Sequence, residues 1–338
     1  MNSFGRLFKV QIFGESHGTG AGVVIDGCPA GISLSEKDLE KDLSRRRSGA
    51  KGTTPRKEAD LPEFLSGIFN GKTTGAPLTI FFKNTNIRSG DYLNLVASPR
   101  PGHADFTGKI KFGSYNDYRG GGHFSARLTV GIVAAGVVAK KMLKDITIKA
   151  TLTEAGGTTD INAAIDKAMA EQNSIGGIVK CKVNGLPVGL GEPFWDSVES
   201  VLSHAVFAIP AVKGIEFGSG FQAAKMTGFE HNDNIIDDKG HTETNNAGGI
   251  NGGITNGNEL IFRIAVKPTS SIAKPQQTMN FKKGKVDKLI IKGRHDACVA
   301  LRVPPILEAM TAIVLADFML LEQKVGRVGL KILYSYNI

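Results

Sequence analysis

Cysteine is scarce in this chain: Cys28, Cys181 and Cys298 stand far apart in 338 residues. An odd, scattered set builds neither a disulfide framework nor a C-x-x-C metal motif. Buried free thiols in a reducing compartment are the expectation, with no metal. There is no Pro/Ser-rich linker, charge block or low-complexity tract, and no repeat with a period of 20–50 residues. One large intertwined domain over residues 1–338 is therefore expected rather than two joined by a linker. The opening MNSFGRLFKVQIFGESHG lacks the long apolar region and small-residue cleavage site of a signal peptide. The longest apolar run, 303–321, carries Glu308 and Asp317, so it reads as a buried helix rather than a membrane span. By elimination the expected location is the cytoplasm, with no membrane partner. A P-loop and a dinucleotide-binding fingerprint are also missing.

What is abundant is glycine, 42 residues, about 12% where roughly 7% is usual. With no G-X-Y period, the excess belongs in loops that turn tightly or approach a ligand closely. The formal charge of +9 suits a partner bearing phosphate or carboxylate. Alternation and apolar runs predict strands over 7–13, 19–26, 77–83, 146–152, 177–183, 260–266 and 288–291. Helices are expected from a Ser33–Glu36 capping box into Arg45–Arg47, and over 124–143, 161–171, 197–209 and 305–323.

Six clusters carry candidate chemistry. Gly14-Glu-Ser16-His17-Gly18 has the spacing of a hydrolase nucleophile elbow, but a strand rather than a helix is expected after it. His17 is better read as an acid/base group on a tight turn. Arg100-Pro-Gly-His103-Ala-Asp105 presents a second histidine between an anion-binding arginine and an orienting carboxylate. Arg119-Gly-Gly-Gly122-His123-Phe124-Ser125-Ala126-Arg127 offers successive N–H groups to an anion. Asn245 to Gly257 pairs glycine with asparagine, which suits the polar edge of a planar ring. Lys267-Pro268-Thr269-Ser270-Ser271 groups a cation with three hydroxyls as a phosphate seat. Gly293-Arg294-His295-Asp296 precedes the last long helix. Together these point to a flavin-like cofactor beside an anionic substrate. His204, His231, His241 and His295 receive no role.

GESHG, RRRSG, RPGHAD, YRGGGHFSAR, NNAGGINGGI, KPTSSI and GRHDACV, in this order, resemble the chorismate synthase family from about residue 4 to about residue 320. The resemblance implies an α+β fold with helices sandwiched between antiparallel sheets, and a homotetramer. It implies 1,4-anti elimination of phosphate and a ring proton from 5-enolpyruvylshikimate 3-phosphate. Reduced FMN is required although there is no net redox change, and NADPH is a candidate source of its reduction.

By the same resemblance, His17 protonates the departing phosphate with Ser16 alongside. His103 protonates the reduced flavin near N1, and Asp296 belongs to the proton-removal relay at N5. Arg46, Arg100, Arg127 and Arg294 clamp the substrate's anionic groups. FMN is held by Arg46, His123, Phe124, Ser125, Ala126, Asn246, Gly252, Lys267, Pro268, Thr269, Ser270, Ser271 and Arg294, and by Pro210 and Ala211 of a neighbouring subunit. Lys51-Gly52, His123-Phe124 and Ala297 depart from the commonest family pattern.

Two other readings compete. An FMN-dependent NAD(P)H oxidoreductase would need a nicotinamide site, and no dinucleotide fingerprint is present. A nucleic-acid-binding protein would suit the charge, but aromatics are only 7% and the arginines punctuate glycine loops rather than forming one stripe.

Overall fold

The computed structural model describes residues 2–55, 58–86, 94–291 and 295–323. Its first sheet draws on β1 (Ser3–Phe4), β2 (Lys9–Gly14), β3 (Gly20–Asp26), β4 (Pro62–Ser66) and, after a small ribbon of β5 (Ile68–Phe69) and β6 (Lys72–Thr73), β7 (Leu78–Lys83). The order is β1-β2-β3-β7-β4, antiparallel throughout. α1 (Glu36–Arg46) lies between β3 and β4. Its capping box sits two residues later than expected: the Asp38 carboxylate accepts from the Ser35 N–H and hydroxyl.

The short α2 (Asp105–Lys111) leads into α3 (Thr129–Met142). The apolar run from residue 124 predicted an earlier start. Its first residues are held instead in 3-10 turns over Arg119–Phe124 and Ala126–Leu128, with Gly120, Gly121 and Gly122 all at positive φ. That backbone favours glycine and cannot continue a helix. α3 is then buried on nearly every side, as a run of Ala, Val, Ile and Gly requires.

The second sheet contains β8 (Thr147–Ala155), β9 (Gly177–Asn184), β10 (Val212–Phe217) and, beyond a hairpin of β11 (Ile250–Asn251) and β12 (Ile254–Thr255), β13 (Leu260–Val266). Its order is β10-β13-β9-β8, again antiparallel. α4 (Ile161–Ala170), α5 (Val198–Val206) and the single turn α6 (Gly228–His231) occupy its connections, and β14 (Gln276–Asn280) pairs with β15 (Lys285–Leu289). The strand expected at 288–291 thus begins earlier and closes a ribbon. α7 (Val303–Leu321) completes the described chain.

α3 packs on the first sheet, α7 on β8 and β9, and the two helices on each other, so one continuous core runs from sheet to sheet through a helical layer. This is the α+β sandwich that was expected. Val299–Leu321 is long and apolar enough to cross a bilayer, but 83% of its most apolar window is buried inside the protein. Its acidic residues have internal work. Asp317 accepts from the backbone N–H groups of Arg6, Leu7 and Phe8. Glu308 takes both Arg45 Nη1 and Nη2, at 2.6 and 2.8 Å, together with Lys140 Nζ and the Ala150 N–H. Through Glu308, α7 grips α1, α3 and β8 at once, next to the arginines that end α1.

Candidate active site

β2 ends at Gly14, and the following turn carries Ser16 and His17, both buried, into β3. A strand-to-strand turn is not a nucleophile elbow, so the hydrolase reading falls. The Ser16 N–H donates to the Gly122 carbonyl at 3.1 Å, which docks this turn on the triple-glycine loop. A Cβ on Gly120 would overlap the His17 ring; only glycine lets the two segments meet so closely.

Next to Gly120 opens a cavity of about 180 Å³ lined by Arg46, Arg100, Arg127, Thr269, Ser271 and Asp296 among others. α1 delivers Arg46, and the turn before α3 delivers Arg127. Between them lies Asp60, 2% exposed, whose two oxygens accept from Arg46 Nη2 and Arg127 Nη1. Burial pushes the Asp60 carboxyl up, but the two guanidiniums outweigh it and hold it below the usual range. Burial also pushes Arg46 down to about 10, which leaves it charged at neutral pH. Arg127 Nε donates to Asn84 Oδ1 at 3.0 Å, while Asn84 Nδ2 donates at 2.9 Å to the carbonyls of both Glu15 and Gly18. The histidine-bearing turn and the arginine pair are thereby tied to one amide. Asp296 accepts from the Thr54 N–H at 2.9 Å and faces Arg302 Nη1 at 3.5 Å.

Arg100 is clamped by Asp105, which takes its Nε and Nη2 at 2.7 Å each, and its Nη1 donates to Ser271 Oγ at 3.0 Å. His103 Nδ1 meets Asp105 Oδ1 at 2.6 Å. Arg100 Nη2 stands 3.2 Å from the same nitrogen, so Nδ1 is occupied on both sides and Nε2 is the ring nitrogen beside Gly121. Burial raises the Asp105 carboxyl, yet the bonds from Arg100 and His103 pull it far below its ordinary value. His103 lines a second cavity, about 230 Å³, with Gly121, Phe124, Phe106 and Phe281. An arginine-rich hollow and an aromatic one thus adjoin across Gly120-Gly121.

The Lys267–Ser271 segment is knitted to the His103 loop: Lys267 Nζ and Ser270 Oγ both donate to the Gly102 carbonyl, at 2.9 and 3.0 Å. Burial pushes the Lys267 amine down, with help from Lys213. Thr269 Oγ1 and Arg46 Nε are buried with no hydrogen-bond partner among the described residues. Such atoms are costly unless a ligand completes them, and donors on these two residues suit a phosphate and a carboxylate. The chemistry of the hollow thus fits a phosphorylated anion and a flat aromatic cofactor.

Other expected residues lie elsewhere. His123 is exposed, with Nδ1 on the Gly14 carbonyl and Nε2 on Asn2, at 2.8 and 3.1 Å. It lines a third cavity, about 270 Å³, with Ser125 and Pro210. Ala211, at φ +75°, accepts from the Lys267 N–H. Asn246 is consumed by its own loop, its N–H on Asp233 and its side chain on the Glu230 and His231 carbonyls. Gly252 turns the β11–β12 hairpin, and neither Asn246 nor Gly252 lines the arginine cavity. Lys51 pairs with Asp166 at 2.6 Å, on α4. Arg294 lies outside the described residues. Sequence reasoning missed Asp60 and Asn84, which sit in plain polar stretches with no motif around them.

The family model described as chorismate synthase matches residues 8–320. The chorismate synthase of Chitinophaga pinensis is 63% identical over 329 residues, covering 97% of this chain and 99% of the relative. That of Dehalococcoides mccartyi is 47% identical over 351 residues, covering 94% and 96%. A crystal structure of a chorismate synthase superposes with a TM-score of 0.73 at 26% identity, covering 94% of this chain and 93% of the other. The chain belongs to the chorismate synthase family.

Proposed function

We propose that this chain converts 5-enolpyruvylshikimate 3-phosphate to chorismate in the arginine-lined cavity, the final step of the shikimate pathway, with FMN as the flavin. The observation that carries the reading is the buried Arg46–Asp60–Arg127 bridge, with Arg100 and Asp296 on the same cavity and His17 against its wall. Arg46, Arg100 and Arg127 bind the carboxylates and phosphate, where forked guanidinium bonds hold planar anions better than an ammonium would. Arg294 joins them by family resemblance, and Ser16 lies beside the phosphate.

His17 delivers a proton to the departing phosphate. Asp296, positioned by the Thr54 N–H and Arg302, belongs to the relay that removes the ring proton. His103, with Nδ1 against Asp105, would use Nε2 to deliver a proton to the bound flavin. Lys267, Pro268, Thr269, Ser270 and Ser271 would hold the FMN phosphate, and Phe124, Ser125 and Ala126 would contact its ring. Reduced FMN held by these residues would supply transient electron density to C–O cleavage, for a carbon–oxygen lyase reaction without net redox change.

The reading carries with it a cytoplasmic homotetramer, in which Pro210 and Ala211 would reach the flavin of an adjacent subunit while His123, Asn246 and Gly252 would contact the flavin of their own. The exposure of Phe194, Trp195 and Phe229, each above 80%, supports burial against another copy.

The test is an anaerobic assay with substrate and chemically reduced FMN, following phosphate and chorismate together, with oxidised FMN as control. Equal release of both products only with reduced flavin is expected. Flavin binding without product would overturn the reading. Adding NADPH to the oxidised control tests whether the chain draws its own reducing equivalents.

A further inference from the structure

Asp60 is electrostatically out of place. A cavity that takes a multiply charged anion is weakened by any carboxylate in its wall, yet Asp60 is buried to 2% exposure between Arg46 and Arg127. Its backbone is also unusual, with φ at +51°, a region in which Asp and Asn are among the few tolerated side chains.

Each carboxylate oxygen accepts from a different arginine. Two like charges that would otherwise repel are thus held side by side. Arg127 and Arg302 both act to lower the Arg46 guanidinium, the repulsion the bridge must offset. The bridge uses one amino group of each arginine and leaves other N–H groups for a ligand. Arg46 Nε has no partner among the described residues. Arg127 is further fixed by Asn84 Oδ1 and, at 3.3 Å, by the Lys83 carbonyl.

We propose that Asp60 is a positioning residue for the substrate's anionic groups: it couples Arg46 and Arg127 into one rigid double fork, trading a unit of favourable charge for orientation. This rests on reading the cavity as the substrate site.

Two accounts predict opposite signs. If charge alone governs binding, Asp60→Asn makes the cavity more positive and tightens it. If Asp60 orients the arginines, the same variant binds more weakly, because the asparagine NH2 group opposes one guanidinium. Asparagine tolerates the left-handed backbone, so the fold is expected to survive.

The decisive measurement is calorimetric binding of 5-enolpyruvylshikimate 3-phosphate without reduced flavin, so that no turnover occurs, on intact and substituted full-length protein. The expected result is an affinity at least about tenfold weaker in Asp60→Asn. In the complete assay KM rises by a similar factor while kcat changes less than about threefold. Placed in an Arg127→Gln background, Asp60→Asn is expected to add less than about twofold, since the fork is already broken. Unchanged or tighter binding, or a full multiplicative loss in the double variant, would overturn the proposal. If Asp60→Asn does not fold, Asp60→Gly is measured instead, as glycine is free at this φ. Failure of both to fold would make the carboxylate a requirement of folding and end the assignment. No binding to the unsubstituted protein would instead sink the functional reading itself.

Discussion

Gly120 is the residue on which the candidate site closes. It sits at φ +60°, and a Cβ there would overlap the His17 ring and crowd Ser16 Oγ. Neither neighbour can give way easily, since Ser16 is buried and its N–H is spent on Gly122. Gly120→Ala is therefore expected to displace the imidazole and cut turnover by about 100-fold, the usual order for misplacing a reacting group by an ångström. The circular dichroism spectrum should stay unchanged. Turnover within about threefold of normal would show that His17 does not act where it stands. At this scale the sequence is uneven. Glycine triplets and loop histidines announce themselves because few structural needs explain them. Asp60 and Asn84 do not, since a carboxylate or an amide in a polar loop looks solvated. Their meaning comes from partners 67 and 43 residues away, at Arg127, and no local pattern encodes that pairing.

Elements were more legible than their ends. β13 follows residues 260–266 as expected because its side chains alternate strictly between buried and half-buried positions. α7 was readable as a core helix because Glu308 and Asp317 interrupt a run too apolar for any surface. The start of α3 was not readable, because composition cannot tell a helix from the 3-10 turns that the left-handed glycines impose. Nor does composition report how closely α3 and α7 approach. A Cβ on Gly136 would overlap Ala309 of α7, so the helical layer of the sandwich depends on two small residues face to face. Gly136→Val is expected to cost about 3 kcal/mol or more, the upper range for overpacking a rigid core. Its midpoint in urea should drop accordingly, while Gly157→Ala, where a Cβ meets open space although φ is positive, should cost about 1 kcal/mol from backbone strain alone. Equal effects would mean that the helices separate without penalty.

For the whole molecule, buried ionisable groups set the pH range of stability. Burial alone would raise Asp60, Asp105 and Glu308, but their cationic and N–H partners prevail and all three are held below their ordinary values. A depressed acid stabilises the fold above its unfolded value, near 4, and that contribution is lost as pH falls through the still lower folded value. The net charge of +9 at neutrality adds self-repulsion in the same direction as carboxylates protonate. The thiols behave oppositely. Burial pushes Cys28 up to about 11 and Cys181 up to about 12, so each favours the fold below the unfolded value of about 8.5. That contribution declines above 8.5 and is gone once the folded values are passed. Urea midpoints are therefore expected to be level from about pH 5 to pH 8, to fall steeply below pH 4, and to decline above pH 9. Cys181→Ala separates the two limbs: it removes a share of the alkaline decline and leaves the acid limb where it was. A midpoint that still rose between pH 5 and pH 3 would mean that the carboxylate bridges at Asp60, Asp105 and Glu308 do not hold the fold.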